Sequence, residues 1–205
     1  MAGTREEVLA AARDLLVEGG LRALTMRRVA ERVGVSATAI YRHFDDKGAL
    51  LGAAVALGSE HLVKAFAGAL RARGAREQLR ETGRAYLRFA LRHPRDYQLL
   101  FMTWDDRPAP MVGTPRVRGA ALEFLVDRVE ACRAEGLLGP GDDTFEVVML
   151  CWSVVHGLAS LWLGGGARGQ MTERQFEALA DAVLDRALAG LFQTPSDGRG
   201  RRDGA

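Results

Sequence analysis

The stretch LTMRRVAERVGVSATAIYRHFDDKGALL, residues 24–51, decides how this chain folds. Two short runs with helical spacing of apolar residues, one through Val29 and Val33 and one through Ile40, lie on either side of Gly34. Glycine suits the left-handed backbone that a tight turn between helices requires. Two short helices joined in this way form a helix-turn-helix, whose second helix fits the major groove of DNA.

Capping residues predict where the helices of this region begin. Thr25 and Ser36 precede the two short runs, and one of the aspartates at 45–46 precedes a longer apolar run. A side-chain oxygen at such a position accepts hydrogen bonds from the unpaired amides of the first turn. Residues 4–7 have the capping-box pattern, and the glycines at 19–20 stop the helix that it opens. We therefore expect a three-helix head followed by a long fourth helix.

The rest of the chain has the same character, so the sequence predicts an all-α protein of about nine helices. Helix start and stop signals recur, a second capping box runs from Thr172 to Gln175, and no alternating β-branched run indicates a strand. We expect a helix-turn-helix DNA-binding domain over 1–50, a larger helical domain over 51–193 and a disordered tail over 194–205.

Composition places the chain among soluble globular proteins. Its 205 residues are 48% hydrophobic and 26% charged, with a formal net charge of +2, which neither requires nor excludes a nucleic-acid partner. Cys132 and Cys151 lack metal-ligand spacing and are expected to be reduced core residues of a cytoplasmic protein. The N-terminus does not have the pattern of a signal peptide.

One stretch is uncharged for long enough to cross a bilayer. Residues 147–167 contain no Asp, Glu, Lys or Arg. However, His156, two serines and several glycines lie within it, and no Lys or Arg cluster flanks it. A helix that is apolar all round can equally be buried inside a protein, so we expect a core helix and no membrane partner.

The second helix of the turn has two faces. Ile40 and Phe44 share an apolar face that points into the head. Small residues at the start of the helix permit close approach to base edges, while hydroxyl and cationic groups at its end can reach phosphate. The candidates for DNA contact in this region are Ser36, Ala37, Thr38, Ala39, Tyr41, Arg42 and His43.

Lys47 falls in the first turn of the fourth helix, where the helix macrodipole disfavours a cation. A phosphate beside it would reverse that sign, because the lysine and the free amides would then converge on one anion. Thr25 likewise places a hydroxyl beside free amides at the start of the second helix.

Residues 24–51 resemble the DNA-binding head of the TetR family of regulators, in a match that covers residues 4 to about 51. The resemblance implies a homodimer that represses from a palindromic double-stranded operator and releases it on binding a small molecule. It also implies phosphate contacts from Thr25, Tyr41, His43 and Lys47. Base reading would fall to Arg27 and to positions 37–39, with Arg28 as a further candidate, since Thr38 alone among those three can hydrogen-bond.

The uncharged eighth helix carries two stripes. Cys151, Val155, Leu158 and Trp162 form a stripe of large residues that suits the domain's own core. The other stripe is of small residues, which let a second helix approach closely. With helix nine it resembles the family's four-helix dimer interface, for which the candidates are Ser153, Gly157, Ser160, Gly164, Phe176, Val183 and Ala187.

The larger domain also resembles, over 152–161 and 93–101, a subgroup with a tryptophan–histidine–glycine signature. A pocket between its helices would take an apolar or aromatic effector, because its candidate lining is rich in aromatics and methionine. The alternative is that these residues pack the core and line no pocket. They are Phe66, Tyr86, Phe89, Phe101, Met102, Trp104 and Trp152.

No motif in the chain predicts catalysis, a cofactor or a metal. The segment GGGARG at 164–169 fits G-x-G-x-x-G but follows a helix, so the phosphate-binding loop lacks its strand. His156 is expected to be a hydrogen-bonded core or interface histidine. The alternative to a regulator is a helical small-molecule-binding protein or enzyme without specific DNA binding. A non-specific DNA-binding protein is disfavoured, because a basic stripe is missing.

Overall fold

The computed structural model describes residues 4–101 and 115–192, with side chains from 120 onward in the second range. Within these ranges the chain forms nine α-helices and no strand, which confirms the predicted all-α fold. The helices are α1 Arg5–Ala23, α2 Met26–Val33, α3 Ala37–Tyr41, α4 Lys47–Ala67, α5 Ala75–Arg92, α6 Pro94–Phe101, α7 Pro115–Ala134, α8 Thr144–Leu163 and α9 Glu173–Leu191, with a 3₁₀ turn over Gly68–Arg71 after α4.

Side-chain caps begin the helices of the head where the sequence predicts them. Thr4 and Glu7 form the reciprocal capping box of α1. Thr25 accepts a hydrogen bond from the third amide of α2, and Ser36 does the same for α3. Of the two aspartates before α4, Asp46 is the cap, and its carboxylate accepts from Ala49 at 2.7 Å. Local hydrogen bonds therefore fix these helix starts.

Two helices of the head, α1 and α3, end in irregular backbone. Gly19 and Gly20 have non-helical dihedral angles within α1, so the regular helix breaks at the predicted glycines although a turn continues to Ala23. The third helix ends at Tyr41, three residues before Phe44, and the amides of residues 43 and 44 both donate to the Ile40 carbonyl. The second helix of the helix-turn-helix, α3, which we call the recognition helix, is thus only five residues long.

The head packs α1 against α2 and α4, and α2 against α3. Gly34 ends α2 with φ 77°, in the left-handed region predicted for the turn, and its amide donates to the Ala30 carbonyl. The largest buried side chains of the head include Leu15, Val29 and Ile40, each at most 1% exposed. This core holds α3 against the other helices and leaves its opposite face in solvent.

The rest of the chain is arranged around α5, which packs against α4, α6, α7, α8 and α9. Phe89, Tyr97 and Phe176 are among the most deeply buried side chains of this larger domain. The long helix α4 crosses the predicted domain boundary at residue 50, and both α4 and α6 contact α1. The head therefore rests directly on the larger domain.

Two helical stretches of the described residues, Lys47–Arg71 and Thr144–Leu163, are long and apolar enough by composition to cross a membrane. Of an apolar 18-residue segment in each, 39% and 28% are buried inside the protein. Core helices of soluble proteins have the same character, and α8 packs on α5, α7 and α9.

Cys132 and Cys151 are free thiols. Burial raises the pKa of each to about 11. Predicted tail residues 194–205 lie outside the described ranges.

Candidate DNA-binding surface and aromatic cluster

The structure places the eleven predicted DNA-contact residues on α2, on α3 and its flanks, and at the start of α4. Ten of them are exposed and Ala39 is half-buried. Tyr41 at the end of α3 leaves 52% of its surface in solvent, although it is a large aromatic residue. The apolar side of α3, by contrast, is buried through Ile40 and Phe44. The exposed set is therefore available to an external partner.

Thr25 and Ser36 each cap a helix, in addition to the DNA contact predicted for them. Their hydroxyl oxygens accept from the amides of Arg28 and Ala39, at 3.2 and 3.3 Å. A hydroxyl that accepts in this way still has its proton to donate. Both residues can therefore cap their helices and donate to a phosphate oxygen at the same time.

Lys47 is the first residue of α4, as predicted, but its ammonium group also has a partner within the chain. Its Nζ donates to the main-chain carbonyl of Leu21 at 2.7 Å. This bond offsets the unfavourable macrodipole that made the lysine notable, and sequence reasoning missed it. An ammonium has three donors, so the exposed Lys47 keeps two for a phosphate.

The arginines of α2 divide into two kinds. Arg32 makes two hydrogen bonds of 2.7 Å to Glu18, which ties α2 to α1 and lowers the pKa of that carboxyl. Arg27 is 86% exposed and pairs with Glu31, four residues along the same helix, at 2.8 Å. Exposed pairs of that kind contribute little. The pair with Glu31 therefore leaves the Arg27 guanidinium available to an external partner.

A second candidate site lies where α5, α6 and α8 meet. Tyr86, Tyr97, Phe101, Trp152 and His156 form a cluster whose ring centroids are 5.1 to 6.4 Å apart. Three of these residues were predicted to line the effector pocket. Tyr97 was missed, and His156 was expected only as a core or interface histidine.

The cluster contains a chain of polar groups within its apolar rings. Trp152 Nε1 donates to the Tyr86 hydroxyl at 3.3 Å, and the hydroxyls of Tyr86 and Tyr97 lie 3.0 and 2.8 Å from His156 Nδ1. Burial lowers the pKa of His156, so its imidazole is neutral near pH 7. Burial also raises the pKa of both tyrosines. The cluster is therefore uncharged but able to donate and accept hydrogen bonds.

The remaining effector candidates do not join this cluster through the ring contacts of the described residues. Phe66 stacks on Phe124 at 5.2 Å, and Phe89, 1% exposed, stacks on His93 at 5.7 Å. Met102 and Trp104 lie outside the described ranges. A groove of about 300 Å³ runs between α5 and α9, and charged residues such as Arg84 and Asp181 are prominent in its lining. None of the five described candidates lines it.

The predicted small-residue stripe of α8 is only partly open. Ser153 and Gly164 are exposed, and a Cβ built on Gly157 would meet no atom within 4 Å. The Ser160 hydroxyl, however, lies 3.3 Å from the Tyr97 hydroxyl inside the subunit. Two large residues share the open face, Leu150 at 47% and Leu161 at 62% exposure. Their spacing of three and four residues from Ser153 and Gly157 is the signal that could have identified them.

Phe176 of α9, a predicted interface residue, is enclosed within its own subunit. It is 1% exposed and stacks on Trp162 at 4.6 Å. A side chain so enclosed has no surface to offer a second subunit, so the interface proposed below leaves it out. Val183 and Ala187 are half-buried, and Leu179 is 44% exposed.

A short exposed helix after a glycine turn, carried by a larger helical domain, defines a helix-turn-helix DNA-binding protein. The chain belongs to the TetR family. The family model described as "Tetracyclin repressor-like, C-terminal domain" matches residues 79–187, just over half of the chain. The model described as "Bacterial regulatory proteins, tetR family" matches residues 8–54.

Two tetracycline repressors from Escherichia coli are similar to part of the chain. The class C protein is 51% identical over 49 residues, or 24% of this chain and 22% of the repressor. The class A protein from transposon 1721 is 54% identical over 46 residues, or 22% and 21%. The chain therefore matches about a fifth of the length of these relatives.

Solved structures resemble the chain over nearly its whole length. A protein of unknown function from Rhodococcus sp. RHA1 is 29% identical with a TM-score of 0.73, covering 92% of this chain and 95% of its own. The regulator PfmR from Thermus thermophilus is 22% identical with a TM-score of 0.72, covering 93% and 98%. FadR from Bacillus subtilis, solved with stearoyl-CoA, is 14% identical with a TM-score of 0.76, covering 92% and 100%. The last two show the fold alone.

Proposed function

We propose that this protein is a ligand-responsive transcriptional regulator, acting as a homodimeric repressor of a palindromic operator. The observation that carries the proposal is the exposed recognition helix α3, held by a buried apolar face and flanked by capped helix starts. Membership of the TetR family supports the same function.

Contacts to phosphate position each head on the duplex. Tyr41 and the two remaining donors of Lys47 suit this task, together with the hydroxyl of Thr25 and the exposed Arg42 and His43. Such contacts set register and orientation without reading sequence. Their donors are neutral or cationic, which suits an anionic backbone.

Base reading then falls to few groups. Thr38 offers a hydroxyl and a methyl, while Arg27 and Arg28 offer guanidinium donors from the start of α2. Ala37 and Ala39 offer only a close, apolar approach. With so few hydrogen-bonding groups, local DNA shape must supply part of the specificity.

The effector enters, in this proposal, beside the aromatic cluster of α5, α6 and α8. The rings of Phe101 and Trp152 suit an apolar or aromatic molecule, and Tyr86, Tyr97 and His156 provide a small polar group to orient it. An uncharged lining disfavours a highly charged ligand, which would lose its hydration without gaining a counter-charge.

Dimerisation uses the open face of α8 together with α9. Leu150 and Leu161 supply exposed apolar surface, and Gly157 between them allows close helix approach. Two subunits joined there would present two heads to successive major grooves, which are about 34–36 Å apart. The cytoplasm is the location that this function implies, and no catalytic step or cofactor is part of the proposal.

Selection of bound fragments from the source genome with purified protein tests the proposal. We expect a palindromic fragment that binds at least roughly 1,000-fold more tightly than random DNA at physiological salt, and a small apolar compound that weakens this binding. Equal affinity for all DNA would indicate a non-specific DNA-binding protein. Turnover of a small molecule without DNA affinity would indicate the enzyme alternative.

A further inference from the structure

Two histidines and one aspartate meet where the head rests on the larger domain. His61 is on α4, His93 directly precedes α6, and Asp96 is in the first turn of α6. One ring nitrogen of each histidine and one carboxylate oxygen all lie within 4.8 Å of one another. The histidine rings stack with centroids 4.7 Å apart. Neither the proposed DNA contacts nor the aromatic cluster uses these residues.

The distances in this cluster are close to those of a metal site. His61 Nδ1 lies 2.7 Å from Asp96 Oδ2, and His93 Nδ1 lies 3.8 Å from the same oxygen. Donor atoms around a tetrahedral zinc ion, each about 2.0–2.2 Å from the metal, are about 3.3–3.5 Å apart. The first pair would have to open by about 0.6–0.8 Å and the second to close by about 0.3–0.5 Å to reach that separation.

The carboxylate is held in place by its surroundings. Asp96 is 3% exposed, and its other oxygen, Oδ1, accepts from Arg13 of α1 at 2.5 Å. A Cβ built on Gly58 would lie 3.3 Å from the Asp96 Cβ, so the glycine lets α4 and α6 approach closely. Hydrogen bonding to the second oxygen of a ligating carboxylate is a common way of fixing its orientation.

We propose that His61, His93 and Asp96 form a binding site for a divalent first-row transition metal, for which zinc fits the donors. Two imidazoles and one carboxylate are a ligand set that zinc uses when further positions are left to water. The side chains of His61 and His93 are 28% and 43% exposed, so an ion can reach the site from solvent. The bound ion would join α4 to α6 beside the head.

The charged groups near this site include one that favours the binding of a cation and several that oppose it. Asp96 supplies one negative charge, whereas Arg13, Arg92 and Arg95 are cationic neighbours, and Arg95 is itself paired with Asp14 at 2.8 Å.

Titration of the untagged, full-length protein with Co²⁺ and with Zn²⁺ tests the site. Co²⁺ should produce visible absorption with one equivalent per chain, Zn²⁺ should displace it, and Zn²⁺ should raise the thermal unfolding midpoint. His93→Gln removes one ligand at an exposed position and should weaken Co²⁺ binding by at least roughly 100-fold, since loss of even an outer partner costs roughly 10- to 100-fold.

Matched variants separate loss of the site from loss of the fold. His43→Gln, which removes an exposed histidine of the head, should bind Co²⁺ like the wild type. Far-ultraviolet circular dichroism should show unchanged helix content in His93→Gln and in His61→Gln. Absence of one-equivalent binding in the wild type overturns the proposal. It is equally overturned if both well-folded variants retain wild-type affinity, because the cluster would then be an ionic contact between helices.

Discussion

Tyr41 and Lys47 show how a single position can serve the fold and the proposed DNA contact to different degrees. Tyr41 is half in solvent at the end of α3, so its hydroxyl contributes little to the core. Lys47 already donates to the Leu21 carbonyl. Removal of these two groups should therefore have small effects on stability and different effects on DNA binding.

Tyr41→Phe should weaken binding to operator and random DNA alike, by about 1.5–3 kcal/mol if its hydroxyl bonds a phosphate. Because the hydroxyl is neutral, the dependence of affinity on salt should stay unchanged.

Lys47→Ala should also weaken all binding, but it should reduce the slope of log affinity against log salt by about 1. Fluorescence anisotropy at several salt concentrations measures both. Wild-type affinity in either variant would contradict that residue's assignment.

Arg27→Ala tests base reading from α2. It should relax discrimination at one operator position by about 1–3 kcal/mol, since the guanidinium can bond a base edge. Arg32→Ala is the matched control, because Arg32 is held by Glu18 and should not read bases. Affinities for a set of single-base operator variants decide the matter. A parallel loss on every sequence would make Arg27 a phosphate contact instead.

At the scale of the element, α8 carries three different surfaces. Three members of the predicted large stripe, Val155, Leu158 and Trp162, are buried in the subunit, and the fourth, Cys151, is half-buried. His156 faces the two tyrosines of α5 and α6, and Leu150 and Leu161 face solvent. The lack of charged residues in α8 after Glu146 therefore has three causes, namely a core, a polar aromatic cluster and an open apolar face.

The buried histidine of α8 should make stability depend on pH. The folded-state pKa of His156 is lowered, so the unfolded chain binds a proton more readily. The contribution of the neutral imidazole to stability is then fully present above the unfolded pKa of about 6.5 and is lost as the pH falls below it. His156→Gln keeps a hydrogen-bonding group but does not titrate. Between about pH 7.5 and 5.5 it should lose less free energy of unfolding than the wild type.

Urea unfolding at fixed protein concentration measures this difference, since a dimer's stability depends on concentration. Above about pH 7.5 the two proteins should show parallel pH dependence, because the imidazole is then mostly neutral in both states. An equal loss of stability on acidification would mean that other groups, not His156, cause it.

At the scale of the whole molecule, the distance between two heads depends on contacts far from DNA. Gly157→Leu should leave the helix content of a subunit intact, because the glycine's side-chain direction is open. If this face meets a partner, the leucine should push α8 away, weaken the dimer and lower operator affinity by more than one phosphate contact does. Analytical ultracentrifugation and operator titration measure the two effects.

Gly68→Leu is the control, since Gly68, like Gly157, has open space where a side chain would begin, but it is exposed and lies directly after α4. It should leave both the dimer and operator binding unchanged. A stable Gly157→Leu dimer with wild-type operator affinity would mean that a different surface joins the subunits.

Local chemistry determined much of the fold. Thr4, Thr25, Ser36 and Thr172 cap their helices as the sequence predicts, and Gly34 adopts the left-handed turn. These features depend on residues within about four positions of one another, so their spacing can be recognised in the chain. The exposed face of α3 follows in the same way, because the positions of Ile40 and Phe44 fix which side is buried.

Only the tertiary structure decided which distant groups meet. His61 and Asp96 are 35 positions apart, Tyr86 and His156 are 70 apart, and neither pair shares a helix. The enclosure of Phe176 likewise depends on how α8 and α9 cross, which brings its ring onto Trp162. Helical periodicity specifies the face on which a side chain lies, but helix packing specifies what that face contacts. The sequence therefore determined the helices and the exposed surface that we propose binds DNA, and the packing decided the aromatic cluster and the histidine–aspartate cluster.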